Sequence, residues 1–224
     1  MVAAIETTGT TCGVALFEGN TLRAELHVEM PRSHDRLLAH LFGQLLEMTQ
    51  VKARDIRDFA VSVGPGSYTG IRIGLSFAIG ASLATGASII PVPTLDAIAY
   101  NARYLGRVSH RSRVISLVDA GRQGLYAGLY EITPDFKKLT DTKTIPVSQI
   151  PSLLDENVFA AGPGAALIDG SWADSVAVDS ECLTASSIGR YGLYLHYHGA
   201  GTAAEDVRPL YISDFTPVVR RNEG

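Results

Sequence analysis

The stretch Val61–Gly80, "VSVGPGSYTGIRIGLSFAIG", limits the chain's folding options more than any other. A short apolar run enters a Gly-Pro-Gly turn and leaves it with helical periodicity. Such a run, followed by a helix and then by the second apolar run "ASIIPV", implies two parallel strands joined by a crossover helix. The chain is therefore expected to be α/β.

The glycines of this turn do not spell a phosphate loop. The Gly-x-x-x-x-Gly-Lys-Ser/Thr spacing is missing, and no lysine occurs between Lys52 and Lys137 to meet terminal phosphates. Gly64, Gly66 and Gly70 are also wrongly spaced for a dinucleotide turn. Two uses remain open. The helix start can hold an anion through its free N–H groups, with Gly66 and Ser67 nearest to it. Alternatively, the glycines serve turn geometry and close packing.

The helix, expected over about Tyr68 to Ala84, is apolar nearly all round. Ile71, Gly74, Phe77, Ala78 and Ala81 make a small-residue face suited to a sheet. The opposite stripe, Arg72, Ser76, Ile79 and Leu83, is half apolar where solvent would favour polar residues. Either the helix that follows Ser33 covers this stripe or a protein partner does. That first helix, His34 to about Thr49 with Ser33 as its cap, carries Leu37, Leu38, Leu41, Phe42, Leu45, Leu46 and Met48 on its apolar side. Arg36, His40, Gly43 and Glu47 lie opposite.

Before these helices, "VAAIET", "CGVALFEG" and "TLRAELHVEM" read as a meander of strands, turning at Gly19-Asn20. After them, "TLDAIAYNARYL" reads as a helix and "GRVSHRSR" as a junction. The pattern then restarts in "RVISLVDAGRQGLYAGLYEI": strand, acidic residue, small-residue turn, strand. Glu6 and Asp119 hold equivalent places, so the chain looks internally duplicated. We expect two lobes, 1–106 and 107–224, each a mixed sheet with flanking helices. "TKTIPVSQI" and "NVFAAGPGAAL" each supply a strand, "TASSIGRYGLYLHYH" a helix, and "AEDVRPLYI" an extended tail.

Two acidic residues at strand ends suit either a metal–nucleotide site or ordinary turns. Other chemistry finds little support. Among six histidines there is no His-x-x-x-His pair, and His196 and His198 point to different helix faces. No Gly-x-Ser-x-Gly elbow is present. Cys12 and Cys182 lack ligand spacing and read as reduced, buried thiols. A net charge of -4 argues against tight nucleic-acid binding by this chain alone. Its densest basic run, Arg103, Arg107, Arg111 and Arg113, reads as a solvated junction. With no leader and no apolar run of about 18 residues, a cytoplasmic location is expected.

The stretches "AAIETTGTTCGVALFEG", "SHDRLL", "SVGPGSYTGIRIGLSFAIGAS", "PVPTLDAIAY", "VDAGRQGLYAGLY" and "VRPLYI" together resemble the TsaB (YeaZ) family. The resemblance implies a two-lobed fold of the actin, Hsp70 and sugar-kinase type. It also implies a part in making threonylcarbamoyladenosine in bacterial tRNA. There TsaD, a paralogue of the same fold, holds the metal and performs the transfer, TsaE is an ATPase, and TsaB is the dimerisation subunit. TsaD-like chains carry a His-x-x-x-His where this chain has Thr94, Leu95, Asp96, Ala97 and Ile98. The resemblance thus implies a non-catalytic paralogue with no cofactor or catalytic residue of its own. Many relatives have Asp where this chain has Glu6. Family members pair through the two helices above, with TsaD or with a second copy. The implied interface comprises Leu38, Leu41 and Leu45 with Arg72, Ser76, Ile79 and Leu83, and tRNA is met through the complex. The rival expectation is an ATP- and Mg²⁺-dependent kinase or hydrolase of small molecules, using Glu6 and Asp119.

Overall fold

The computed structural model describes residues 1–29, 34–103, 113–132, 136–155, 157–168, 176–177 and 182–212. Strand β1 (Val2–Glu6) pairs antiparallel with β2 (Thr11–Glu18), which pairs antiparallel with β3 (Thr21–Glu29). The two-residue turn between β2 and β3 places Gly19 at φ 56°, which glycine adopts without steric cost. Helix α1 (His34–Thr49) leads to β4 (Asp58–Gly64), parallel to β1. Helix α2 (Tyr68–Thr85) then leads to β5 (Ser88–Pro93), parallel to β4. The first sheet therefore has the order β3-β2-β1-β4-β5. Strands β1 and β4 are buried along their whole length, as central strands covered on both faces must be.

Alternate residues of this sheet serve two different cores. Ala3, Ile5, Val14, Leu16, Phe59 and Val61 pack with α1 and α2. Ala4, Ala15, Phe17, Ala60, Ile90 and Val92 pack with α3 (Thr94–Ala102) and α4 (Ala185–Tyr197).

The second half repeats this topology. Strand β6 (Arg113–Asp119) pairs antiparallel with β7 (Leu125–Glu131) and parallel with β10 (Val158–Ala161), which pairs parallel with β11 (Val176–Ala177). Short strands β8 (Lys137–Lys138) and β9 (Lys143–Ile145) both lie against β7. The duplication extends to the turns: Gly162-Pro163-Gly164 follows β10 as Gly64-Pro65-Gly66 follows β4. Gly64 and Gly162 have φ of 109° and 105°. The repeat is unequal, however. Where α1 and α2 stand in the first half, the described residues of the second form short 3-10 helices, Val147–Leu153 and Pro163–Leu167. Most of "TKTIPVSQI" accordingly forms a turn, with only Lys143–Ile145 as strand.

The expected boundary at 106/107 lies outside the described residues, as do Ser33, His110, Arg107 and Arg111. Part of the expected lobe 107–224 packs on the first sheet. Helix α4 docks on the first sheet, where Gly189 faces the Phe17 ring and a Cβ on Gly192 would lie 2.6 Å from Ala60 Cβ. Thr202 then bridges to Ile89, and Leu210 N–H donates to Val63 O at 2.7 Å. The chain returns because α3 and α4 together fill the space between the sheets, in one core that also holds Val118, Tyr130 and Phe159. Asp96 on α3 joins the halves, accepting from Tyr130 Oη at 2.6 Å and Lys138 Nζ at 3.0 Å. The result is an α/β arrangement of two mixed sheets that share one core.

Helix α2 sits close against the turn after β1. Thr7 Oγ1 donates to Gly70 O at 2.8 Å, and a Cβ on Gly70 would collide with Thr7 O. Gly80, on the exposed side of the same helix, meets nothing within 4 Å. Gly70→Ala is expected to lose about 3 kcal/mol of stability through overpacking. Gly80→Ala should gain about 0.5–1 kcal/mol from helix propensity. Denaturant midpoints of the two variants check both signs.

Candidate functional site

Two surfaces gather the residues singled out from the sequence: a cleft between the sheets and the outer side of α1 and α2. Three turns border the cleft: the turn after β1, the start of α2, and the Gly-Pro-Gly turn after β10. Its volume is about 860 Å³, and Thr8, Gly9, His34, Ser67, Asp119 and Pro163 are among its lining residues.

Glu6 does not reach this cleft. It is 1% exposed, at the inner end of β1, and its Oε1 accepts from Thr8 N at 2.5 Å, Thr8 Oγ1 at 2.7 Å and Gly9 N at 3.1 Å. Its Oε2 has no partner. Burial pushes its carboxyl up from 4.5 to about 7, against the lowering effect of those hydrogen bonds. Glu6 thus folds its own turn. Asp119 is exposed on the cleft wall, with Oδ1 accepting from Gly121 N at 2.7 Å. The two acids expected to share Mg²⁺ in the kinase alternative therefore face different surroundings, one sealed and one open.

Ser67 caps α2, its Oγ accepting from Gly70 N at 3.2 Å, and it lines the cleft. Gly66 serves packing, since a Cβ there would lie 2.7 Å from Thr8 O. On α3, Thr94, Leu95, Ala97 and Ile98 are fully buried and Asp96 is spent on Tyr130 and Lys138. Among the described residues no group of three or more His, Cys, Asp or Glu is placed to hold a metal. Nor is any described helix long and apolar enough to cross a membrane.

Helices α1 and α2 lie side by side on the sheet, with Phe42 and Phe77 edge to face at 5.2 Å. The expectation that Leu38, Leu41 and Leu45 face a partner is corrected: they are 1%, 5% and 0% exposed, packed in the core beneath. The periodicity that marked them apolar marks the sheet side of α1. Its outer side is instead Asp35, Arg36, Ala39, His40, Gly43, Gln44, Glu47 and Met48. On α2, Arg72, Ser76 and Leu83 are exposed, and Ile79 is half-buried against the core. Leu83 and Met48 are 72% and 70% exposed, so α1 does not cover the apolar stripe of α2. A groove of about 460 Å³ between the helices is lined by Ala39, Tyr68, Arg72, Ser76 and Phe77. At its end Tyr68 stacks on Tyr211, ring centroids 5.1 Å apart, and Arg72 Nη1 donates to Tyr68 Oη at 3.2 Å.

Sequence reasoning gave no cleft role to His34 or Pro163. The second Gly-Pro-Gly was the available signal for Pro163. None existed for His34, whose surroundings come from distant segments.

The raised carboxyl of Glu6 makes a signed prediction. A neutral form favoured by folding costs nothing below 4.5, and the penalty develops as pH rises through 7. Glu6→Gln should therefore gain on the wild type between pH 5 and pH 8, by about 3 kcal/mol at most. Denaturant unfolding at the two pH values measures it.

The family model described as "TsaD: tRNA N6-adenosine threonylcarbamoyltransferase" matches residues 28–165. The protein "tRNA threonylcarbamoyladenosine biosynthesis protein TsaB" of Escherichia coli K12 is 33% identical over 131 residues, 58% of this chain and 54% of that one. Its namesake in Bacillus subtilis 168 is 30% identical over 130 residues, 58% and 55% of the two chains. The chain thus spans about half the length of these curated relatives. The solved structure of YeaZ from Pseudomonas aeruginosa superposes with a TM-score of 0.79 at 23% identity, over 94% of this chain and 99% of that one. That likeness establishes the fold. The match of the family model over more than half of the chain establishes the rest: this protein belongs to the TsaD family, and its similarities there are to TsaB and YeaZ.

Proposed function

We propose that this chain is a non-catalytic subunit in the synthesis of threonylcarbamoyladenosine in bacterial tRNA. It pairs with a catalytic TsaD-type chain through the outer sides of α1 and α2. TsaE joins the pair, tRNA is met through the complex in the cytoplasm, and a second copy takes TsaD's place when it is absent. The observation that carries this reading is the bare apolar surface of the paired helices, where Leu83 and Met48 stand more than two thirds exposed. Toward the other end of the same helices the groove offers Tyr68 and Arg72, residue types that concentrate binding energy at interfaces.

Two further facts support it. The named relatives are tRNA threonylcarbamoyladenosine biosynthesis proteins. The segment that would carry the histidine pair of a catalytic paralogue holds none, and its side chains are spent on joining the lobes. The interface set is accordingly Arg72, Ser76 and Leu83, flanked by Ile79, with Met48 and Ala39 replacing Leu38, Leu41 and Leu45.

Leu83→Glu and Met48→Glu alter side chains that contribute little to the fold. Each is expected to weaken pairing with TsaD roughly 30-fold, the effect of an interface hot spot of about 2 kcal/mol. Light scattering after size exclusion, on this chain alone and mixed with TsaD, reads the complex. Unchanged pairing in the double variant at matched melting temperature would sink the proposal.

A further inference from the structure

Tyr211 brings the chain to the mouth of the α1–α2 groove. Its ring stacks on Tyr68 at the start of α2, centroids 5.1 Å apart, and Leu210 N–H is held by Val63 O at 2.7 Å. After Ile212 the chain continues as "SDFTPVVRRNEG", residues 213–224, which lie outside the described residues. The order of side chains in this segment matches what the two helices leave uncovered.

The helices enter the groove by their first turns, at Asp35 and Tyr68, and Phe42 meets Phe77 further along, so they run in the same direction. Position along α2 can be counted from Tyr68 at about 1.5 Å per residue. An extended tail advances from Tyr211 at about 3.3 Å per residue. On this scale Asp214, about 10 Å on, comes within side-chain reach of Arg72, an exposed cation on the groove wall. Phe215, about 13 Å on, comes level with the half-buried ring of Phe77. Val218, about 23 Å on, comes level with Leu83, which is 72% exposed. Pro217 favours the extended backbone that this register needs.

Arg220 and Arg221 then reach the far ends of α1 and α2. Neither helix has a basic residue in its last turn, although the carbonyls there carry partial negative charge. Glu47 is exposed in that turn of α1. An anion on a cation, a ring on a ring, an apolar side chain on bare Leu83 and two cations on helix ends thus fall into register from one anchor.

We propose that residues 213–224 lie extended along the α1–α2 groove of their own chain, anchored by Tyr211 on Tyr68, as a removable cover over the outer side of α2. The docking stands on its own, and its effect on pairing rests on the function proposed above. A partner using this face must displace the tail, so its apparent affinity falls by the fraction of time the tail is away.

A nitroxide attached to Asn222→Cys in the full chain tests the docking, since Cys12 and Cys182 are buried. With the ¹⁵N- and spin-labelled chain diluted in unlabelled chain, the Leu83 and Met48 amides should broaden more than other surface amides. The triple variant Phe215→Asp, Arg220→Glu, Arg221→Glu should abolish that preference at unchanged melting temperature. No preferential broadening, or broadening that survives the triple variant, overturns the proposal. So does broadening of the same amides in a ¹⁵N chain without the label mixed with a labelled chain at natural abundance, which would mean a tail donated by a second copy. A chain ending at Ile212 should pair with TsaD about fivefold more tightly than the full chain, as for a tail docked roughly 80% of the time. Preferential broadening together with equal pairing would confirm the docking and count against the pairing face instead.

Discussion

The structure depends on the contact between the start of α2 and the turn after β1. Thr7 donates to Gly70 O, and Gly70 and Gly74 leave no room for a Cβ against Thr7. Removing two side chains lets the helix approach the sheet closely and fixes its rotation about its own axis. That rotation decides which residues turn outward. With Gly70, Gly74 and Ala78 against the sheet, Arg72, Ser76 and Leu83 have nowhere to go but solvent or a partner. The same contact holds the start of α2 at the end of the cleft, where Ser67, Thr69 and Gly70 line it. The bare outer side of α2 and the cleft are thus two consequences of one packing event.

The internal duplication explains why the cleft is lopsided. Both halves offer a strand ending in an acid and a Gly-Pro-Gly turn after the parallel neighbour. Among the described residues only the first half follows that turn with a full helix. The acids have diverged as well. Glu6 is one methylene longer than aspartate and folds back onto Thr8 and Gly9, filling its own turn with an internal carboxylate. Asp119 stays on the surface. The two rims of the cleft thus differ in both their acids and their turns.

Much of the fold was legible because it is written in local terms. The α-helices and the longer strands announced themselves through periodicity, caps and turn residues, and the parallel pairing of β1, β4 and β5 followed from the crossover helices; the short β8 and β11 left no such signal. The restart at Arg113 exposed the duplication. The destination of α4 was not legible. A helix's apolar face says that it is buried, not against which sheet, and α4 crosses back to strands well over a hundred residues earlier in the chain. For the same reason Leu38, Leu41 and Leu45 were misplaced, since an apolar stripe facing a sheet and one facing a partner have the same sequence pattern.

The sequence by itself determined the α-helices and longer strands, their order, the glycine turns and the absence of a histidine pair on the third helix. These depend on backbone preferences and spacing, which act within a few residues. Only the tertiary structure decided that Glu6 turns inward, that His34 lies buried on a cleft wall, and that Leu83 and Met48 remain bare. Those outcomes depend on what distant segments leave open or fill, and burial is a property of the assembled surface, not of any residue in it.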